Sequence, residues 1–123
     1  MNIVDSSGWL EYFIDGKNAD FFSAAIEDTE NLLVSVINIY EVFKRILASQ
    51  GLESAEMRIA ELLKGRVIDL TASISLSAAT ISAELKIPMA DSLILASAYS
   101  NNAVLWSQDE HFKGLPGVQY ISK

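Results

Sequence analysis

Short β-branched runs alternate with amphipathic stretches along the whole chain. Ile3-Val4 is a brief apolar run, and from Ser6 to about Ile14 the side chains of Trp9, Leu10 and Phe13 recur at helical spacing on one face. Lys17 to Asp28 predicts a second helix. Leu32-Leu33-Val34 is continuously apolar, as a strand buried on both faces would be. Ser35 or Asn38 then offers a cap for a helix running to about Gln50, where Gly51 ends it. Glu53 to Leu63 reads as another helix that stops near Gly65, and Arg66 to Leu70 as a strand. Thr71 caps a helix to about Leu85, and Pro88 fits the first turn of a helix to about Asn101. Val104 to Ser107 is a fourth strand and Val118 to Ile121 a fifth.

Strands separated by helices require crossover connections, which build parallel sheets covered by helices on both faces. The expected class is α/β, with a central, mostly parallel sheet of about five strands. In such sheets ligands sit beyond the carboxyl ends of the strands, where the strand order reverses.

Length and composition narrow the picture. A chain of 123 residues, half of them hydrophobic, reads as a single globular domain over 1–123, with no repeat, low-complexity run or Gly/Ser linker to divide it. The absence of cysteine removes disulfide scaffolds and thiolate zinc sites, and fits a reducing compartment. The opening residues carry no basic segment followed by an apolar one, so no secretory signal is expected. The longest uncharged stretch, Ser92 to Gln108, is broken by Ser97, Ser100, Asn101 and Asn102, whereas a membrane span needs about 20 mostly apolar residues. A cytoplasmic location is the expectation. Nine basic against sixteen acidic residues give a net charge of −7, which argues against a protein that grips nucleic acid through its overall field and leaves local contacts open.

The positions of the acids matter more than their number. Asp5 directly follows the first strand, and Asp109 lies two residues past the fourth, so both belong to the carboxyl edge of the sheet. Asp91 sits in the first turn after Pro88, and Glu41 follows the nearly apolar run Val36-Ile37-Asn38-Ile39-Tyr40. Each acid also has a local explanation: Asp5 as a helix cap, Asp91 as a complement to a helix dipole, Asp109 as a turn initiator. Together they fall where the sheet should open its crevice. Clustered carboxylates are costly unless a cation offsets their charge. Oxygen-only ligation selects hard ions, so Mg²⁺ or Mn²⁺ is favoured over zinc, as one ion or as a pair acting on a phosphodiester.

Four blocks carry a family resemblance: Asp5-Ser6-Ser7-Gly8-Trp9, Asn38-Ile39-Tyr40-Glu41-Val42, Ile87-Pro88-Met89-Ala90-Asp91-Ser92-Leu93-Ile94, and Trp106-Ser107-Gln108-Asp109-Glu110-His111-Phe112. In order and spacing, over essentially the whole chain, they resemble the signature blocks of PIN domains, specifically the VapC-like toxin ribonucleases. The resemblance implies a PIN-like fold and a Mg²⁺- or Mn²⁺-dependent endoribonuclease, the toxin of a type II toxin–antitoxin pair, leaving 5′-phosphate and 3′-hydroxyl ends. Asp5, Glu41, Asp91 and Asp109 would be its catalytic and metal-holding acids. Asp5 and Asp91 would hold the ion in the main, and Asp109 and Glu41 would orient waters or a second ion. Ser6 and Ser107 match hydroxyl residues that would support the acids or bind water. An RNA substrate, an antitoxin and a homodimer are the implied partners.

Other residues are weighed against that frame. Lys44 and Arg45, one turn after Glu41, are candidates to contact RNA phosphates, against an ordinary solvated helix face. His111 is the sole histidine; as a loop residue beside Phe112 it is expected to pack or be solvated, not to act as a general base. Trp9, Tyr12, Phe13, Phe21, Phe22 and Leu32 concentrate apolar bulk in the first third, mostly as core and in part as a groove for a partner. Two rival functions remain: a PIN fold that binds without catalysis, and a phosphoacceptor receiver domain. The latter would use Asp69 in Asp69-Leu70-Thr71, but the segment Tyr120-Ile121-Ser122-Lys123 supplies no lysine at the equivalent position.

Overall fold

A computed structural model describes residues 1–123. Five strands form one sheet: β1 (Asn2–Val4), β2 (Leu32–Ser35), β3 (Arg66–Ile68), β4 (Val104–Ser107) and β5 (Val118–Tyr120). Six helices connect them: α1 (Ser6–Phe13), α2 (Ala19–Ile26), α3 (Val36–Gln50), α4 (Leu52–Leu62), α5 (Ala72–Leu85) and α6 (Met89–Ser100). The strand order is β3-β2-β1-β4-β5 and every pairing is parallel. The α/β class, the five strands and the six helices agree with the sequence reading.

Alternation along the strands sorts side chains onto two faces. Val4, Leu32 and Val34 point to one face, where Trp9, Phe22, Val42, Ile46 and Leu62 cover them. Ile3, Leu33 and Leu105 point to the other, against Ile94, Leu95, Ala98 and Phe112. The central strands are thus buried on both sides, which is why they are apolar throughout. A smaller contact of Ile74 and Ala78 with Leu93 and Ala96 packs α5 on α6.

Several boundaries differ from the sequence reading. The second helix is shorter than Lys17–Asp28, because Gly16 and Asn18 turn the chain before it and a 3₁₀ turn at Thr29–Asn31 follows it. Strand β3 ends at Ile68, before Asp69 and Leu70. Pro88 stands at the cap of α6, in extended conformation (φ −60°, ψ 159°), just outside the first turn. Ser35 and Asn38 are not alternative caps of α3: Ser35 is the cap, and Asn38 reaches back to its backbone N–H.

The chain leaves β1 to build β2 and β3 on one side, and β4 and β5 lie on the other. The order therefore reverses between β1 and β4, where carboxyl ends of neighbouring strands open a crevice. In the receiver arrangement the third strand is central; here β3 is an edge strand and Asp69 is exposed at its end. No helix is long and apolar enough to cross a membrane.

Candidate metal centre at the β1/β4 crevice

Asp5 leaves β1 and caps α1, accepting the Ser6 N–H at 2.9 Å. Its other oxygen accepts the hydroxyls of Ser7 at 2.9 Å and Ser107 at 3.0 Å. The residue is only 3% exposed, and no Lys or Arg pairs with it. Burial raises its pKa from 3.8 to about 6. The serine hydroxyls oppose that shift, and the charges of Asp91 and Asp109 add to it.

Ser107, fully buried at the end of β4, joins two of the acids. Its hydroxyl donates to Asp5 and accepts the backbone N–H of Asp109 at 2.9 Å. Asp109 in turn caps a 3₁₀ turn at Glu110–Phe112 by accepting the His111 N–H at 3.0 Å. Asp91 occupies the first turn of α6. Burial raises its pKa, as does the charge of Asp109, and Glu41 adds in the same direction while His111 opposes.

Glu41, on α3, is held from the opposite side. Asn38 Nδ2 donates to Ser6 Oγ at 3.0 Å, and Ser6 Oγ donates to Glu41 Oε1 at 2.7 Å. Four elements thus bring the four acids to one edge: the charges of Asp91 and Asp109 act on Asp5 and those of Asp109 and Glu41 on Asp91, while only Asp91 and Asp109, with His111, place donor atoms within 4.8 Å of one another. The local roles expected for Asp5, Asp91 and Asp109 hold alongside this grouping: a cap and a cluster use different oxygens, or different faces, of the same carboxylate.

His111 has a role in the site's geometry beyond solvation. It is exposed, as expected of a solvated loop residue, but its Nδ1 lies 2.8 Å from Asp91 Oδ2 and 3.1 Å from Asp109 Oδ1, a contact the sequence did not suggest. The neighbouring Asp109 charge raises its pKa above 6.5, and Asp91 contributes as well. One donor atom from each of Asp91, Asp109 and His111 falls within 4.8 Å of the others. A positive or borderline donor thus stands between two of the acids, in the kind of place a cation would take. The donor set fits a hard divalent ion such as Mg²⁺ or Mn²⁺: carboxylate oxygens of Asp91 and Asp109, with a buried acid beside them that no Lys or Arg pairs.

The two basic candidates separate. Lys44 lies over the Tyr40 ring, 5.6 Å from its centroid, in a shallow depression that also includes Glu41. Arg45 borders that depression too, but also lines a cleft between α1, α3 and α4. The aromatic cluster divides as well. Trp9, Phe22 and Leu32 are buried core, which removes them from any partner groove, and Tyr12, Phe13 and Phe21 are half-buried around them.

The sequence matches the family pattern described as PIN domain over residues 3–118. No curated protein matches the chain in sequence. Among solved structures, a toxin–antitoxin complex from Klebsiella pneumoniae superposes with a TM-score of 0.78 at 20% identity, covering 97% of this chain and 96% of that one. Mycobacterium tuberculosis VapC20, described as a sarcin-ricin loop cleaving toxin, has a TM-score of 0.76 at 15% identity, covering 94% of this chain and 95% of that one. VapBC-1 of nontypeable Haemophilus influenzae has a TM-score of 0.68 at 24% identity, with coverage of 98% and 96%. With the four acids converging at the strand-order reversal and the family pattern spanning nearly the whole length, the chain belongs to the PIN domain family.

Proposed function

We propose that this chain, as a single PIN domain over 1–123, is a Mg²⁺- or Mn²⁺-dependent endoribonuclease and the toxin of a type II toxin–antitoxin pair. The observation that carries the reading is the gathering of Asp5, Glu41, Asp91 and Asp109 at the β1/β4 crevice with no Lys or Arg paired to any of them. Asp5 would cap α1 in a binding module too, but a cap does not call for burial beside the charges of Asp91 and Asp109, and that grouping favours the catalytic reading. The toxin assignment draws on the likeness to the Klebsiella complex and to VapC20.

Asp5, Asp91 and Asp109 would hold the ion, with Glu41 and His111 beside them. The chemistry a divalent ion supplies when bound is Lewis-acid activation of water and neutralisation of charge gathering on the phosphate. The chain's own residues do the positioning. Ser107 fixes the spacing of Asp5 and Asp109 through one hydroxyl. Ser6, itself held by Asn38, takes one oxygen of Glu41 and leaves the other to orient a water and accept its proton. His111 steadies Asp91 and Asp109 together. Without a cation, four carboxylates repel a phosphodiester, so the site is self-silencing when the ion is removed.

The test is cleavage of total bacterial RNA by purified protein with Mn²⁺, mapping new 5′ ends by sequencing. Discrete cuts are expected, abolished by EDTA and reduced at least about a hundredfold in Asp91→Asn, since even groups that only orient ligands cost 10–100-fold. Cuts that survive both controls would overturn the reading. An antitoxin and a second copy of the chain are the partners it carries, and sedimentation of the purified chain tests the second.

A further inference from the structure

The net charge of −7 leaves open how a polyanion is held at an acidic crevice. The basic residues are few and unevenly spread. Arg45 from α3, Arg58 from α4 and Lys123 converge on one cleft of about 330 Å³ bordered by α1, so a third of the nine Lys and Arg share one concavity. None of the three has a carboxylate partner; the one ion pair that any Lys or Arg makes is Lys64 with Glu61, at 3.3 Å. The single acid lining the cleft, Glu11, is engaged, accepting the Asn18 N–H at 3.0 Å.

Two details suit the cleft to an anion. Arg58 is half-buried with its guanidinium 4.9 Å from the Phe13 ring centroid and in no ion pair, so its N–H groups can make bidentate contact with a phosphate. The cleft also shares a wall with the acid centre. That wall includes Ser7, whose hydroxyl donates to Asp5, and Gln108, which precedes Asp109 and is clamped by Asn18 at 2.9 Å.

We infer that the Arg45–Arg58–Lys123 cleft binds the backbone phosphates of single-stranded RNA flanking the bond to be cut. The inference rests on the ribonuclease reading and says where that substrate lies. Cations concentrated beside the acids let a chain of negative net charge hold RNA through a local field, with the strand passing over Ser7 and Gln108 into the crevice.

Each phosphate neutralised on a single strand contributes about 0.7 to the slope of log affinity against log salt. The experiment measures anisotropy of a labelled single strand of about twelve mixed-sequence ribonucleotides, a length within the usual single-strand site range. It is run in EDTA on the full chain carrying Asp91→Asn, so that nothing is cut. Arg45→Gln, Arg58→Gln and Lys123→Gln should each lower the slope by about 0.7, and the triple variant by about 2, while Lys86→Gln leaves it unchanged. Thermal melts confirm that the variants fold. Arg58→Lys should restore the slope but not all the affinity, because lysine cannot bind bidentately.

RNA bound with the parental slope by the triple variant would overturn the cleft and leave the ribonuclease reading standing. An equal loss in Lys86→Gln would also overturn it, as a diffuse field. No RNA binding by the Asp91→Asn parent in EDTA would overturn the cleft alone, because the metal-free acids repel a phosphodiester and the Mn²⁺ cleavage assay tests the ribonuclease reading separately. A poly-glutamate probe whose slope falls with these substitutions, while the RNA slope does not, would make the cleft a site for an acidic protein segment instead.

Discussion

The carboxylate of Asp5 caps α1 with one oxygen and receives two serine hydroxyls with the other, yet its charge is not matched. Its pKa, raised from 3.8 to about 6, means that the folded chain binds this proton more tightly than the unfolded one. The associated stability is fully present below pH 3.8 and lost as pH rises through about 6. At roughly 1.4 kcal/mol per unit, about 3 kcal/mol is lost across that window. Asp91 shifts in the same direction, and the stability linked to His111 declines above its ordinary pKa of 6.5. Asp5→Asn keeps a good cap and removes the charge. In EDTA at pH 8 it should be more stable than the parent by about 2 kcal/mol, with a flatter pH profile between 4 and 6, while losing cleavage. Denaturant melts across that range check it; an Asn variant less stable at pH 8 would mean that the hydrogen bonds to the charged form outweigh its burial.

At the scale of elements, the entry into α3 is built together with the site. Asn38 is fully buried and serves both ends: Oδ1 accepts the Ser35 N–H at 3.2 Å, and Nδ2 donates to Ser6 on the way to Glu41. Asn38→Ala should cost about 2 kcal/mol, from a lost capping box and an unmatched buried hydroxyl. It should also lower kcat more than RNA affinity, because Glu41 loses its anchor. Asn38→Asp keeps an acceptor for the Ser35 N–H but buries a further unpaired carboxylate near Glu41, so at pH 8 it should recover neither the stability nor the kcat lost in Asn38→Ala. Helix α1 is positioned by a close approach. A Cβ on Gly8 would lie 2.6 Å from Phe22 and 2.8 Å from Val4. Alanine favours a helix by about 1 kcal/mol over glycine, but overpacking costs about 1–3 kcal/mol. Gly8→Ala is therefore expected to lower the melting temperature, and an unchanged or higher one would show that α1 is free to shift.

Across the whole molecule, the sequence disclosed what local pattern encodes. Continuous apolar runs at Ile3-Val4 and Leu32–Val34 marked double-sided burial, and the acids stood out because carboxylates at strand ends or in apolar surroundings are costly without a purpose. What depends on distant elements was hidden. His111 carries no periodic signature, and its contact with Asp91, twenty positions away, is made by a short 3₁₀ turn capped by Asp109. Lys44 and Arg45 are neighbours in sequence, but about 100° of helix rotation separates them, and only Arg45 reaches the cleft between α1, α3 and α4. Arg58 and Lys123 join it from elements that no local spacing relates to Glu41.

The pairing of β1 with β4 sets Ile3 beside Leu105. The two strands whose ends carry Asp5 and Asp109 are far apart in sequence, and contacts of such long range form late. Until Trp106 to Asp109 have left the ribosome, Asp5 has neither Ser107 to fix it nor Asp109 beside it. A growing chain holds at most a partial site, so the acids gather only once β4 has paired with β1.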